Sequence, residues 1–130
     1  MTGFAITQGK GFHLTFPNGI TLSTQIGGGN YGENYDYPIA PFPYTVEGHL
    51  KNIMELPSSA TCEIMIWDTK TIVDMPTFDG KTRKGKKRIT EELPEKIFGH
   101  KITDSVAGYV SFEQWLEVVD FCRNYKRGEK

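Results

Sequence analysis

Phe12-His13-Leu14-Thr15-Phe16-Pro17-Asn18-Gly19-Ile20-Thr21-Leu22-Ser23-Thr24-Gln25-Ile26 is the stretch that decides the fold. Phe12, Leu14 and Phe16 alternate with polar residues, and Ile20, Leu22 and Ile26 continue the alternation, which is the period of half-buried strands. Asn-Gly alone suggests a two-residue type I′ turn. That pairing would set Phe16 against Thr21 and Leu14 against Ser23, mixing apolar and polar residues on one face. A loop of Pro17, Asn18 and Gly19 instead pairs Phe16 with Ile20 and Leu14 with Leu22. Pro17 suits the first corner of a type I turn, and Gly19 the left-handed position. Because the hydrophobic pattern sets register, the expectation is an antiparallel hairpin closed by this three-residue loop.

A second β region follows at Thr61-Cys62-Glu63-Ile64-Met65-Ile66-Trp67, rich in strand formers. Alternation puts Cys62, Ile64 and Ile66 on one face, with Glu63, Met65 and Trp67 on the other, so Glu63 is expected to face solvent or a pocket rim. Asp68-Thr69-Lys70 reads as a turn and Thr71-Ile72-Val73 as the return strand, which makes Trp67 a core residue and Asp68 a turn residue. Residues 90–98 read as a short helix with Thr90 as cap and Glu91 and Glu92 in its first turn. Val106 to Val110 supplies a further short strand. The C-terminal helix starts at a capping box of Ser111 and Gln114. Phe112, Trp115, Leu116, Val119 and Cys122 recur along it at helical spacing, and Val118 and Phe121 widen the stripe. Lys126, Arg127 and Gly128 close it. The predicted fold class is α+β, a small, mostly antiparallel sheet with one C-terminal helix packed on it.

The 130 residues suit one domain with a single core. A hydrophobic fraction of 38% with 24% charged residues argues against wholesale disorder. No apolar run reaches the roughly 18–20 residues that span a bilayer, and Met1-Thr2-Gly3-Phe4 lacks the basic start of a signal peptide. A cytosolic location without membrane attachment is therefore expected. Cys62 and Cys122 sit in apolar settings and are expected as buried, reduced thiols. His13, His49 and His100 are isolated and lack metal-ligand spacing, so neither a metal nor a cofactor is expected. A nucleophile–base–orienter set cannot be picked out, and Glu91-Glu92 suit a helix start, so the chain reads as a binding protein rather than an enzyme.

Two long loops, 27–45 and 78–90, are the functional candidates. The first opens with Gly27-Gly28-Gly29-Asn30-Tyr31-Gly32-Glu33-Asn34-Tyr35-Asp36-Tyr37 and runs into a segment with prolines at Pro38, Pro41 and Pro43. It is neither a P-loop nor a Rossmann fingerprint. Its tyrosines offer stacking surface, its amides hydrogen bonds, and its glycine N–H groups a cradle for phosphate. The second holds six basic residues, Lys81, Arg83, Lys84, Lys86, Lys87 and Arg88, with no acid between them. Without them the chain has nine basic against sixteen acidic residues, a net charge of −7. Such a run attracts phosphates or an acidic surface, and Arg83 and Arg88 can do so bidentately.

Three motifs carry a family resemblance. They are the Asn18-Gly19 hairpin leading to Gly29-Asn30-Tyr31-Gly32-Glu33-Asn34, the strand Cys62-Glu63-Ile64-Met65-Ile66-Trp67-Asp68, and Gly108-Tyr109-Val110-Ser111-Phe112-Glu113 at a helix start. Their order and character resemble a family of small phage and prophage proteins. The Pro-rich segment and the basic run depart from that pattern. The resemblance implies phage origin, and by analogy a role against host defences in the host cytosol. The leading expectation is then capture, without catalysis, of a small nucleotide signal. Tyr31, Tyr35 or Tyr37 would stack on the base and Asn30 and Asn34 would bond its edges. Arg83, Lys84, Lys86 and Arg88 would hold phosphate, within one subunit or across the interface of a homo-oligomer. The alternatives are a protein-binding inhibitor of a host defence effector or nuclease, and a nucleic-acid-contacting accessory protein.

Overall fold

The computed structural model describes residues 2–7, 11–26 and 60–128. They form β1 (Gly3–Thr7), β2 (Gly11–Thr15), β3 (Ile20–Gln25), β4 (Thr61–Pro76), β5 (Thr82–Arg88), a 3-10 turn (Thr90–Glu92), α1 (Glu95–Phe98), β6 (Ala107–Ser111) and α2 (Phe112–Asn124). The six strands make one sheet in the order β1-β2-β3-β4-β5, with β6 also on β4, and every pairing is antiparallel. The α+β class expected from the sequence is thus met by an antiparallel sheet and one main helix.

The β2–β3 hairpin has the register that the apolar pattern demands. Leu14 lies opposite Leu22, and the turn closes with Phe16 N–H donating to Ile20 O at 2.8 Å and Gly19 N–H to Phe16 O at 2.9 Å. Gly19 has φ +86°, the left-handed conformation that the loop requires. Asn18 does more than turn the chain. Its side-chain amide donates to Cys122 O at 2.8 Å and approaches the carbonyls of Arg123 and Tyr125 at 3.4 Å, adding a donor to the carbonyls at the end of α2.

Three expectations are corrected. Asp68-Thr69-Lys70 is not a turn between two strands: β4 is a single strand of 16 residues, with a register shift between Asp68 and Ile72. The basic run is not a loop spanning 78–90, because residues 82–88 are strand β5, hydrogen-bonded to the far half of β4. The helix expected over 90–98 is a 3-10 turn and a short α1 separated at Pro94, which lacks the N–H that a helix interior needs. Thr90 is no side-chain cap. Fully buried, its hydroxyl accepts from Ile66 N–H at 3.0 Å and donates to Ser105 O at 2.7 Å, filling the gap on β4 between β5 and β6.

The core lies on the face carrying Ile20, Leu22, Cys62, Ile64, Ile66 and Val110. Ile89, Leu93, Ile97 and Ile102 from the connecting segment join it, as do Val118 and Cys122 from α2. The α2 capping box is present as read, with Gln114 N–H to Ser111 Oγ at 3.2 Å and Ser111 N–H to Gln114 Oε1 at 2.9 Å. The buried stripe is rotated from the expected one: Val118 and Cys122 are buried, whereas Phe112 and Leu116 are exposed. Trp115 is half-buried rather than central, in edge contact with Phe12 and donating from Nε1 to Thr24 Oγ1 at 2.8 Å. Both cysteines are free and buried, as expected. Burial, with the Glu63 charge adding to it, pushes the Cys62 thiol up to about 11, and burial alone pushes Cys122 up to about 12.

Candidate functional site

Along Glu63–Asp68, β4 has β3 on one side. β3 ends at Ile20, opposite Asp68, so beyond that point β4 pairs with β5 alone and the sheet narrows to a two-stranded ribbon. Ile72, Val73, Asp74, Met75 and Pro76 face Lys86, Gly85, Lys84, Arg83 and Thr82 across it. None of residues 69–88 is buried.

The base of the ribbon is tied down by Asp68. Its residue is 1% exposed, and its carboxylate accepts from Arg127 Nε at 2.8 Å, Arg127 Nη2 at 2.7 Å, Thr71 Oγ1 at 2.6 Å and Lys70 N–H at 3.0 Å. Burial opposes its charge, but the hydrogen bonds from Arg127, Thr71 and Lys70 outweigh that effect and hold the carboxyl below its ordinary range. Arg127 also donates to Asn18 O, and Thr69 N–H to Gly19 O at 3.0 Å. The extra residues Thr69, Lys70 and Thr71 are therefore a held bulge, which re-aims the strand rather than reversing it. The expectation of a turn aspartate at 68 is corrected accordingly: its partner is Arg127, far along the chain.

The far end repeats the chemistry of the first hairpin. Phe78-Asp79-Gly80 occupies the place that Pro17-Asn18-Gly19 holds there, with Thr77 N–H to Lys81 O at 2.8 Å, Gly80 N–H to Thr77 O at 3.1 Å and Gly80 at φ +79°. Asp79 accepts from the Thr77 hydroxyl and from Lys81 N–H at 3.1 Å, and these bonds hold its carboxyl below the ordinary range. Phe78 stands at the tip fully exposed.

Of the predicted site residues, Arg83, Lys84, Lys86 and Arg88 are brought together: they border one groove of about 400 Å³ with Trp67 and Ile72. Lys84 pairs with Asp74 at 2.5 Å, and Lys87 approaches Glu92 at 3.9 Å. All four side chains are well exposed, so these pairs contribute little. Among the described residues, Lys81, Arg83, Lys86 and Arg88 have no carboxylate within ion-pair reach. Asn30, Tyr31, Asn34, Tyr35 and Tyr37 lie outside the described residues, as does the rest of the 27–45 segment. The expectation of Trp67 as a core residue is corrected: it is half-buried outside the core, in edge contact with His13 and bordering the groove. Sequence reading passed over Phe78 and Ile72. The available signal was an Asp79-Gly80 turn following strand formers that run on past Asp68.

Among the described residues, no group of three or more His, Cys, Asp or Glu side chains could hold a metal ion, and no helix is long and apolar enough to cross a membrane. No protein-family model matches this chain, no curated protein matches it, and no solved structure matches it.

Proposed function

We propose that this chain is a nucleic-acid-binding module that grips phosphate with the β4–β5 ribbon. The observation that carries the reading is the distribution of charge. Six cations lie along β5 and the turn leading into it, with Lys81, Arg83, Lys84 and Lys86 on the projecting two-stranded ribbon and Lys87 and Arg88 at its base, while the remainder of the chain is acidic by −7. The acidic body repels a polyanion and the ribbon attracts it, so the field orients the approach. The cations are strung along the ribbon beside an open groove instead of converging in a closed pocket, which favours an extended phosphate chain over one small nucleotide. Within the phage setting that the resemblance implies, this is the accessory-protein reading, with the host cytosol as its location.

Anisotropy titrations of labelled nucleic acid at increasing salt test it. If Lys81, Arg83, Lys86 and Arg88 each displace one counterion, the log–log slope on a duplex is about −3.6, roughly a 100-fold loss between about 50 and 200 mM salt. Arg83→Glu with Lys86→Glu should abolish binding while the far-ultraviolet circular dichroism is kept. Weak, salt-insensitive binding by the unmodified protein would refute the proposal.

A further inference from the structure

Resting on that reading, we infer that the acceptor is a duplex, and that the ribbon enters its major groove tip first with phosphates on both sides. The faces of the ribbon carry the argument. Side chains alternate across a strand, so Lys84, Lys86 and Arg88 project on the face of Trp67 and Ile72. Arg83, which also reaches the edge of the groove, projects on the opposite face of the ribbon, as does Lys87 at its base beside Glu92. A ribbon lying on a flat anionic surface would use one of these sets and turn the other to water. A ribbon between two walls of phosphate uses both.

A major groove about 12 Å wide and 8.5 Å deep admits a two-stranded ribbon, and at about 3.4 Å per residue its depth takes the turn and the first two or three pairs, so that Arg83 and the long side chains behind it reach the phosphates from above the groove floor. The ribbon is also thin at its middle. A β-carbon at Gly85 would collide with the Met75 sulfur, so the glycine lets Met75 lie across β5 rather than thicken the ribbon. Phe78 leads, held out by the Thr77–Lys81 turn, where an exposed aromatic can contact base edges, a thymine methyl or an opened step.

The test compares one short labelled sequence as duplex and as single strand, using the full chain, with methyl green as a major-groove competitor and netropsin as a minor-groove one. The expected result is preference for the duplex, displacement by methyl green and indifference to netropsin. Arg83→Gln and Lys86→Gln, on opposite faces, should each flatten the salt slope by about 0.9. Phe78→Ala should weaken binding roughly tenfold at an unchanged slope. Equal affinity for the single strand, displacement by netropsin, or a slope that responds to Lys86→Gln but not Arg83→Gln overturns the groove and leaves the phosphate-binding reading standing. Capture by phosphatidylserine vesicles in place of duplex, or no binding to any nucleic acid, overturns both.

Discussion

Replacing Asp68 with asparagine removes one charge from the base of the ribbon while keeping the volume of the side chain. In the native fold that carboxylate is almost wholly buried and accepts from Arg127, Thr71 and Lys70 N–H. An amide has one accepting oxygen, so its NH2 must face one of these donors. Hydrogen bonds to a charged group contribute about 1.5–3 kcal/mol each, and breaking a fully buried ion pair costs about 3–5 kcal/mol. The Arg127 side chain is 31% exposed, so the orphaned guanidinium can recruit water. The expected loss is therefore about 2–3 kcal/mol. In urea this lowers the unfolding midpoint by roughly 1–2 M at an unchanged slope. The loss also has a pH signature. The folded carboxyl titrates below its ordinary value of 3.8, so its contribution is complete above that value and fades as pH falls through the lower folded pKa. The gap between Asp68→Asn and the unmodified protein should accordingly be constant at neutral pH and narrow below about pH 4. A midpoint shift under roughly 0.3 M would refute the reasoning, as would a gap that stays constant to about pH 2.

Two further outcomes follow from the same network and the core. Asn18→Ala strips the donor from the carbonyls at the end of α2 and the acceptor from Ile20 N–H, bonded at 3.1 Å, and should cost about 1–2 kcal/mol in chemical denaturation. Asn18→Asp should cost more, since it sets a carboxylate against those same carbonyls at the negative end of the helix. Cys62 and Cys122, raised to about 11 and 12, should resist a thiol reagent at mildly alkaline pH in the native protein and react in urea. Rapid native labelling of either would contradict the burial described for them.

Two features set by adjacent residues are legible in the sequence. The β2–β3 register followed from Leu14, Leu22 and a turn of Pro17, Asn18 and Gly19, because alternation and turn chemistry act over a few residues. The start of α2 followed from Ser111 and Gln114 for the same reason. The course of the chain after Trp67 was misread because its determinant is not local. Asp68 followed by Thr69 and Lys70 has the composition of a turn, and its carboxylate does bond Lys70 N–H and Thr71 locally, but its buried charge is met by Arg127, brought round by α2. The basic run looked like a loop because β5 buries no side chain and so carries no apolar period; it is a strand through backbone pairing with β4. Likewise Phe112 and Leu116 fit a helical stripe, yet the neighbours of α2, chiefly β3, β6 and α1, select Val118 and Cys122 for burial.

Adjacent residues suffice for the antiparallel hairpin, the helix start and the concentration of cations between Lys81 and Arg88. The packed fold, in contrast, sets these cations along a strand that runs from the sheet into a two-stranded ribbon with Phe78 at its tip. Which strand a charged, unburied segment pairs with depends on a backbone partner and a buried ion pair that lie elsewhere in the chain.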